Sequence, residues 1–380
     1  MKALPYFLPL MFLLPGFKAY QQKPLLQGQL SGWMTAHPGD PLQAEFGSRY
    51  LPVFFWRTNI SQGYSLDSEV SANIRAAGFY QDGDKFNASA RLKPYRIWFR
   101  FSGNQFEVRG GLQKINFGPA RMLRPLMWFD RIDPRDPLQI TDGVYGILSR
   151  YYFINNANIW IWGLWGNHQK KGWEAYPTNR DTPEFGGRFQ HPLLGGEVAA
   201  SYHHRKGNQL DEGLGEETNA LTFTENRLAV DGKFDLGIGL WFEAVLIHQA
   251  LSSTPADYRR LWNTGLDYTI DWGNGLHITG EWFGYQTSEG FFEDASETSL
   301  FGALSARYPL NIISSLQTMV YYDIKNKHWY RFLSWSWIYD DWSFYFMGFW
   351  NPEDIQIFNT MNDTGLYSGA GFQLMAVFNH

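Results

Sequence analysis

Residues 367–378 restrict most tightly what this chain can become. Read in alternation, they give one phase of Ser368, Ala370, Phe372, Leu374, Ala376 and Phe378 and another of Tyr367, Gly369, Gly371, Gln373, Met375 and Val377. Successive side chains of a strand point to opposite faces, so this strand carries no charge on either face. The first phase suits lipid and the second suits a lumen. The competing reading, a last strand of a soluble sandwich, loses ground with each further feature.

Composition points the same way. Across 380 residues the chain has 18% aromatic and 18% charged side chains, 17 Trp, 21 Tyr, 38 Gly and no Cys. Its mean hydropathy of -0.35 is too polar for a helical membrane protein. The mixture fits strands that are half apolar, closed into a barrel whose rims carry Trp and Tyr girdles. The lack of Cys removes disulfide and thiolate chemistry. A net charge of -5 argues against a nucleic-acid partner, which would call for a dominant basic face.

At the amino terminus, Lys2 precedes an apolar run over residues 3–14, followed by Pro15, Gly16, Phe17, Lys18 and Ala19. That run is too short to span a bilayer and has the size of an export-signal core. Residues 1–19 are therefore read as a signal peptide cut after Ala19, and residues 20–380 as one barrel domain. Phe17 is large for the third position before such a cut. No later stretch approaches the roughly 18 apolar residues of a membrane helix, so the chain crosses a membrane, if at all, by strands.

Short turns are expected near residues 102–104, 155–156, 192–193, 235–236, 271–274, 309–311 and 340–341, each between segments of alternating polarity. Longer stretches lie at 36–46, 116–142, 167–184, 207–220, 250–260, 287–298 and 351–366. Tight turns at one end and long loops at the other mark an all-β fold, a transmembrane antiparallel up-and-down β-barrel. It would have about 18 strands, with 16 as the alternative, and both termini in the periplasm.

Within single strands the alternation separates two faces. Leu66, Val70, Ala72, Ile74 and Ala76 share the lipid phase, while Asp67, Glu69, Ser71, Asn73 and Arg75 share the inner one. Arg57, Arg75, Arg91, Lys93, Arg96, Arg100, Arg109 and Arg150 fall on or near the inner phase of consecutive strands. Pro94 forces a bulge that leaves the phase from Lys93 to Arg100 open. These arginines either line a conducting wall or serve as structural ion pairs to Asp67, Glu69 and Glu107. Glu243, His277 and Glu281 are expected on the facing wall, where opposite signs would set a transverse field across a polar, wet lumen.

Residues 116–142 form a long loop too apolar for disorder, since it contains Met122, Leu123, Leu126, Met127, Trp128 and Phe129. It is expected to fold inward as a constriction, with Arg121, Arg124, Asp130, Asp133 and Asp136, the aspartates set opposite the arginine wall. Gly111, Gln113, Ile115, Phe117 and Gly118, followed by Asp133, Pro134 and Asp136, give a Gly-x-Gln-x-Ile-x-aromatic-Gly pattern ahead of an Asp-Pro-x-Asp turn. In this the chain resembles porin-like barrels of the alginate-export and related uncharacterised porin families, although Phe117 stands where that pattern has Trp. The resemblance covers about 50 residues and implies an outer-membrane pore, with little said about cargo.

Enzymatic and metal readings are weak. Ser288 lacks the His two residues earlier that an outer-membrane phospholipase-like site needs, since Gln286 stands there. His203 and His204 are adjacent on a strand and point to opposite faces, and His168 has no partner in the pattern. No catalytic residue, metal ligand or cofactor is assigned. Trp33, Trp160, Trp162, Trp165 and Trp173 could form a stacking path for sugars, against the stronger reading of rim girdles or burial under a folded loop. The sequence reading is an outer-membrane channel of a Gram-negative-type bacterium for passive diffusion of small polar or anionic solutes. Its partners are outer-membrane lipid, small polar solutes or an oligosaccharide, and further copies of the chain in a homo-oligomer. The alternative is a barrel that exports or binds surface polysaccharide like a lectin.

Overall fold

The computed structural model describes residues 20–21, 25–39, 42–81, 86–209, 221–251, 257–353 and 367–380. The expected signal peptide, residues 1–19, lies outside the described residues, as do parts of the expected loops at 207–220, 250–260 and 351–366. Nineteen strands are present among the described residues. They run β1 (Tyr20–Gln21), β2 (Leu25–His37), β3 (Gln43–Ser61), β4 (Tyr64–Gln81), β5 (Asn87–Ser102), β6 (Phe106–Gln113), β7 (Val144–Tyr152), β8 (Asn158–Leu164), β9 (Glu184–Leu193) and β10 (Gly196–Gln209). The remainder are β11 (Leu221–Asp235), β12 (Gly239–Gln249), β13 (Tyr258–Ile270), β14 (Leu276–Ser288), β15 (Glu297–Pro309), β16 (Ser314–Asp323), β17 (His328–Tyr339), β18 (Trp342–Trp350) and β19 (Ala370–Asn379).

The short β1 extends the sheet at the start of the chain, pairing Tyr20 with Asn59 and Gln21 with Thr58 of β3. The other eighteen strands pair antiparallel in chain order, and β19 closes the ring on β2 with Met375 opposite Trp33. Closure leaves no free edge, which is what a sheet in a membrane requires, because hydrocarbon cannot satisfy a backbone N–H or C=O. The fold is thus the expected up-and-down barrel, and its strand count is eighteen rather than sixteen. One turn was missed, Gln62–Gly63, and residues 324–327 make a short turn where the alternation of tight and long connections calls for a loop.

The bulge at Pro94 is present. Ser71 of β4 pairs with Arg96 and Ala72 with Pro94, so Tyr95 is the extra, unpaired residue. Proline has no N–H to give the ladder, and inserting one residue next to it reverses the phase of the rest of the strand. Arg91 and Lys93 before the bulge and Arg96, Trp98 and Arg100 after it consequently share one face.

Outside, apolar residues stand exposed along the strands, among them Phe54, Ile74, Leu92, Ile147, Leu228 and Leu304. Trp272, Tyr339 and Trp342 ring the turn end, and Trp165, Trp329 and Trp350 the loop end. Such a band between aromatic rims is stable against lipid and costly against water. Inside, several strands place an aromatic ring over a glycine directly opposite: Trp33 over Gly47, and Trp241 over Gly265, where a Cβ would come within 2.0 and 2.3 Å of the indole. A closed barrel of this kind is expected to resist detergent until boiled, so the folded chain should migrate faster on a gel than the boiled one. Equal migration, together with a helix-rich circular dichroism spectrum, would contradict the fold.

Candidate functional site

The lumen divides into a basic wall and a packed half. On the wall, toward the turn end, four arginines surround two carboxylates. Asp67, fully buried, is 3.1 Å from Arg57 and 2.9 Å from Arg100. Glu107 takes Arg150 at 2.8 Å, Arg100 at 3.3 Å and Arg109 at 3.8 Å. The indoles of Trp98 and Trp160 lie under this cluster, with Arg109 4.8 Å from the former and Arg150 3.8 Å from the latter. The ion-pair reading therefore applies to this tier, but the pairs leave two arginine charges uncompensated.

A second tier lies toward the loop end. Arg49, Arg75 and Arg91 stand directly opposite one another on β3, β4 and β5. Glu45 pairs with Arg75 at 3.2 Å, and Arg49 and Arg75 flank the Trp33 ring at 5.4 and 5.3 Å. This row faces a cavity of about 920 Å³. Arg49, Arg75, Arg91 and Lys93 line it from the wall, and Arg131, Lys170 and Lys171 from two loops, against only Glu45, Asp130 and Asp142. Its floor is made where residues 129–131 and 140–143 of the long loop reach Lys93, Pro94 and Leu112. Lys93 holds Asp142 there at 2.6 Å. Arg96, buried between the tiers, donates to the Thr141 carbonyl at 2.8 Å.

Residues 116–142 fold into the barrel. Met122, Leu123, Leu126, Met127, Trp128 and Phe129 are buried in one cluster with inward residues of the far wall, including Val245, Leu261, Phe283 and Phe332. Burying such side chains contributes roughly 1.5–3 kcal/mol each, which accounts for the inward course. The main chain is held by two carboxylates on the far wall. Glu243 accepts the Ala120 and Leu126 N–H groups at 2.8 and 3.0 Å. Glu281 accepts those of Arg121, Met122 and Leu123 at 2.6, 3.1 and 2.7 Å. Asn263 sits between them and donates both to the Leu123 carbonyl and to Glu281.

This corrects two expectations. Glu243 and Glu281, 1% and 5% exposed, do not form a water-facing acidic wall across from the arginines; the loop covers them and uses them as anchors. His277 does stay near the loop, 3.4 Å from Arg121, which also pairs with Asp267 at 2.7 Å. The loop aspartates, for their part, are turned to the loop's own needs. Asp130 pairs with Arg124 at 3.1 Å and Asp133 with Arg135 at 2.7 Å. Asp136 accepts the N–H groups of Leu138 and Ile140. Burial pushes the Asp136 carboxyl up, against the pull of those donors and of Arg49 in the arginine row.

The motif residues have local reasons to be what they are. Gly111 has φ +121°, and a Cβ there would lie 2.2 Å from the Ile97 carbonyl oxygen; Gly118 has φ +94°, and a Cβ there would lie 2.4 Å from the Glu243 carboxylate. Glycine is what lets the strand turn into the loop and the loop approach its anchor. The Gln113 side chain bonds the Arg109 and Gly146 carbonyls, and Phe117 packs edge-on against Trp128, Phe129 and Trp160.

Residues 165–183 also turn inward, a feature the sequence reading did not identify. A Cβ on Gly172 would lie 1.8 Å from the Met127 carbonyl oxygen, so the second loop rests directly on the first. Trp173 donates to the Arg124 carbonyl at 2.8 Å and stacks on Phe283 at 5.0 Å. Lys171 pairs with Glu184 at 3.3 Å, and Glu174 with Arg227 at 2.6 Å and Arg205 at 3.3 Å. Glu225 joins both arginines. His203 sits among them, accepting from the Trp162 indole and 3.3 Å from Glu184. A buried ion-pair network of this kind fixes the loop's position.

The five tryptophans do not make a common path. Trp33 lies between arginines, Trp160 beneath Arg150, Trp162 and Trp173 inside the packed half, and Trp165 is exposed at the rim. His203 and His204 face opposite ways, and Ser288 is buried, with its hydroxyl on the Gly290 carbonyl. Among the described residues no group of three metal-ligating side chains converges.

No family model matches the sequence, and no curated protein does. In fold the chain is similar to OccK7 of Pseudomonas aeruginosa, with a TM-score of 0.55 at 10% identity over 94% of this chain and 99% of that one. It is similar to OmpF of Salmonella typhi, at 0.51 and 11% over 94% and 97%. It is also similar to Wzi of Escherichia coli, a carbohydrate-binding β-barrel involved in group 1 capsule assembly, at 0.53 and 13% over 92% and 84%. The likeness to the alginate-export family has no family model behind it. What the chain shares with these outer-membrane proteins is the fold, a closed antiparallel β-barrel.

Proposed function

We propose that the chain is an outer-membrane channel through which small anionic and polar solutes diffuse passively along the arginine wall. One observation carries this reading: the two inward loops fill the half of the lumen bounded by β8–β18, and the cavity they leave lies against the loop-end basic row of β3–β5. Positive charge in a confined, poorly screened space raises the local concentration of anions and lowers that of cations. The Arg96–Thr141 contact between the tiers is the constriction. Lipid covers the outer face, and further copies of the chain are candidate partners there.

Replacing Arg91, Arg100 and Arg109 together by Ala is expected to shift the reversal potential in asymmetric salt toward cations, because each tier loses positive charge. An unchanged potential would remove these side chains from the conduction path.

The extent of the packing favours one second reading, a barrel that binds or exports surface polysaccharide, as Wzi is described to bind carbohydrate. A barrel of that kind would be silent in a planar bilayer, whereas the channel gives discrete current steps.

A further inference from the structure

We propose that the cavity at the loop end is a binding site for an oxyanion carrying two or more negative charges. The anion would be held between the Arg49–Arg75–Arg91 row and the loop residues Arg131 and Lys170. The idea deepens the channel reading and rests on it for the direction of traffic, but its physical grounds are separate.

Three like charges directly opposite one another on neighbouring strands repel, and such a row is destabilising unless something offsets it. Glu45 pairs with Arg75 alone, and Asp136 acts on Arg49 without forming an ion pair with it. Among the described residues Arg49, Arg91, Arg131 and Lys170 form no ion pair, although all four line one cavity. The Nε atoms of Arg49, Arg75 and Arg131 are buried without a hydrogen-bond partner. A buried donor left without a partner is destabilising, and an anion bound in the cavity would supply the missing acceptor. In the turn-end tier the Nε atoms of Arg109 and Arg150 are orphaned as well, but every arginine there reaches a carboxylate, whereas Arg49 and Arg91 reach none among the described residues.

Geometry selects the charge of the ligand. Neighbouring strands are about 4.8 Å apart, so the row spans roughly 10 Å. A monovalent anion can engage only one end of it, whereas two or three linked anionic groups can meet the whole row as charge-assisted hydrogen bonds. Arg131 and Lys170 approach from the loops on the other side of the cavity. Residues 129–131 and 140–143 of the long loop narrow the space toward the turn end, so an anion entering from the loop end meets the row before it reaches Arg96. Phosphate chains and polycarboxylates share this chemistry, and the experiment separates them.

The test is isothermal titration of the detergent-solubilised full chain with tripolyphosphate, with citrate, and with acetate as the monovalent control. Saturable binding of tripolyphosphate, citrate or both is expected, with none for acetate; which of the two binds assigns the anionic group. Arg91→Gln should weaken binding roughly tenfold or more, and Lys170→Gln should weaken it from the loop side, while Arg150→Gln in the other tier leaves it unchanged. Each variant is checked for heat-modifiable migration, and Lys170→Gln, outside the strands, covers a failure of Arg91→Gln to fold. Absence of saturable binding, or equal loss in Arg150→Gln, overturns the site. In a bilayer, tripolyphosphate on the loop side should block current through the native chain and not through Arg91→Gln. Anion-selective current without that block refutes the site and leaves the channel standing; binding in a barrel that passes no current keeps the site and refutes the channel.

Discussion

Deleting residues 122–134 is expected to raise single-channel conductance several-fold and to weaken selectivity, while the protein still migrates as a closed barrel. The deletion removes the apolar run that fills the lumen and three of the five N–H groups that Glu243 and Glu281 accept. It breaks no strand pairing, because the loop lies wholly between β6 and β7. The carboxylates left behind would face water, where a charge is well solvated, and their negative field would oppose that of the arginines. An eighteen-strand barrel without such a plug has room for an aqueous channel. Should the shortened chain fold and conduct no more than the original, the constriction lies elsewhere.

The second large effect is expected from Glu243→Gln together with Glu281→Gln. Each carboxylate uses both oxygens: Glu243 gives one to Ala120 and one to Leu126, and Glu281 gives one to Arg121 and the other to Met122, Leu123 and Asn263. Glutamine keeps the volume but turns one oxygen into a donor, which then meets a backbone N–H. At least one buried donor per site loses its acceptor, at about 1–3 kcal/mol each, and the remaining bonds lose their charge assistance. The released loop should become roughly five- to a hundredfold more populated per site. Limited proteolysis reads this as faster cleavage within residues 116–142, with the heat-modifiable band retained. Cleavage at the native rate would mean that the apolar cluster alone holds the loop.

The faces of the strands were readable because a period of two, imposed on half-buried strands, leaves a plain trace in residues such as Leu66–Ile74. The inward course of residues 116–142 was readable for a related reason, since a run such as Leu126–Phe129 needs a buried surface. The role of Glu243 and Glu281 was not. Their partners are backbone amides, which any residue but proline supplies, so nothing in the sequence marks the pairing. The second loop was hidden by its polarity: Lys171 and Glu174 suit a solvated surface until Glu184, Arg205 and Arg227 appear beside them. One signal was available, because His203 and Arg205, and Glu225 and Arg227, repeat charges of both signs on the inner phase of neighbouring strands. That pattern indicates a buried network, where the single-signed row of Arg49, Arg75 and Arg91 indicates open space. The turn at Gln62–Gly63 was missed because the flanking strands are polar close to it.

The anchoring of the long loop also bears on the order in which the barrel assembles. Ala120 meets Glu243 across 123 residues of sequence, and Arg121 meets Glu281 across 160. Contacts of that separation carry a large loop-closure cost and form late unless intervening structure brings their ends together. Here β7–β14 do so, each pairing with the strand before it. A curved sheet from β6 to β14 could therefore dock the loop against its concave face before β19 meets β2. The seam would then close around an interior already filled, and the slow step in reaching the native state would be that late β19–β2 pairing rather than the threading of a loop into a finished cylinder.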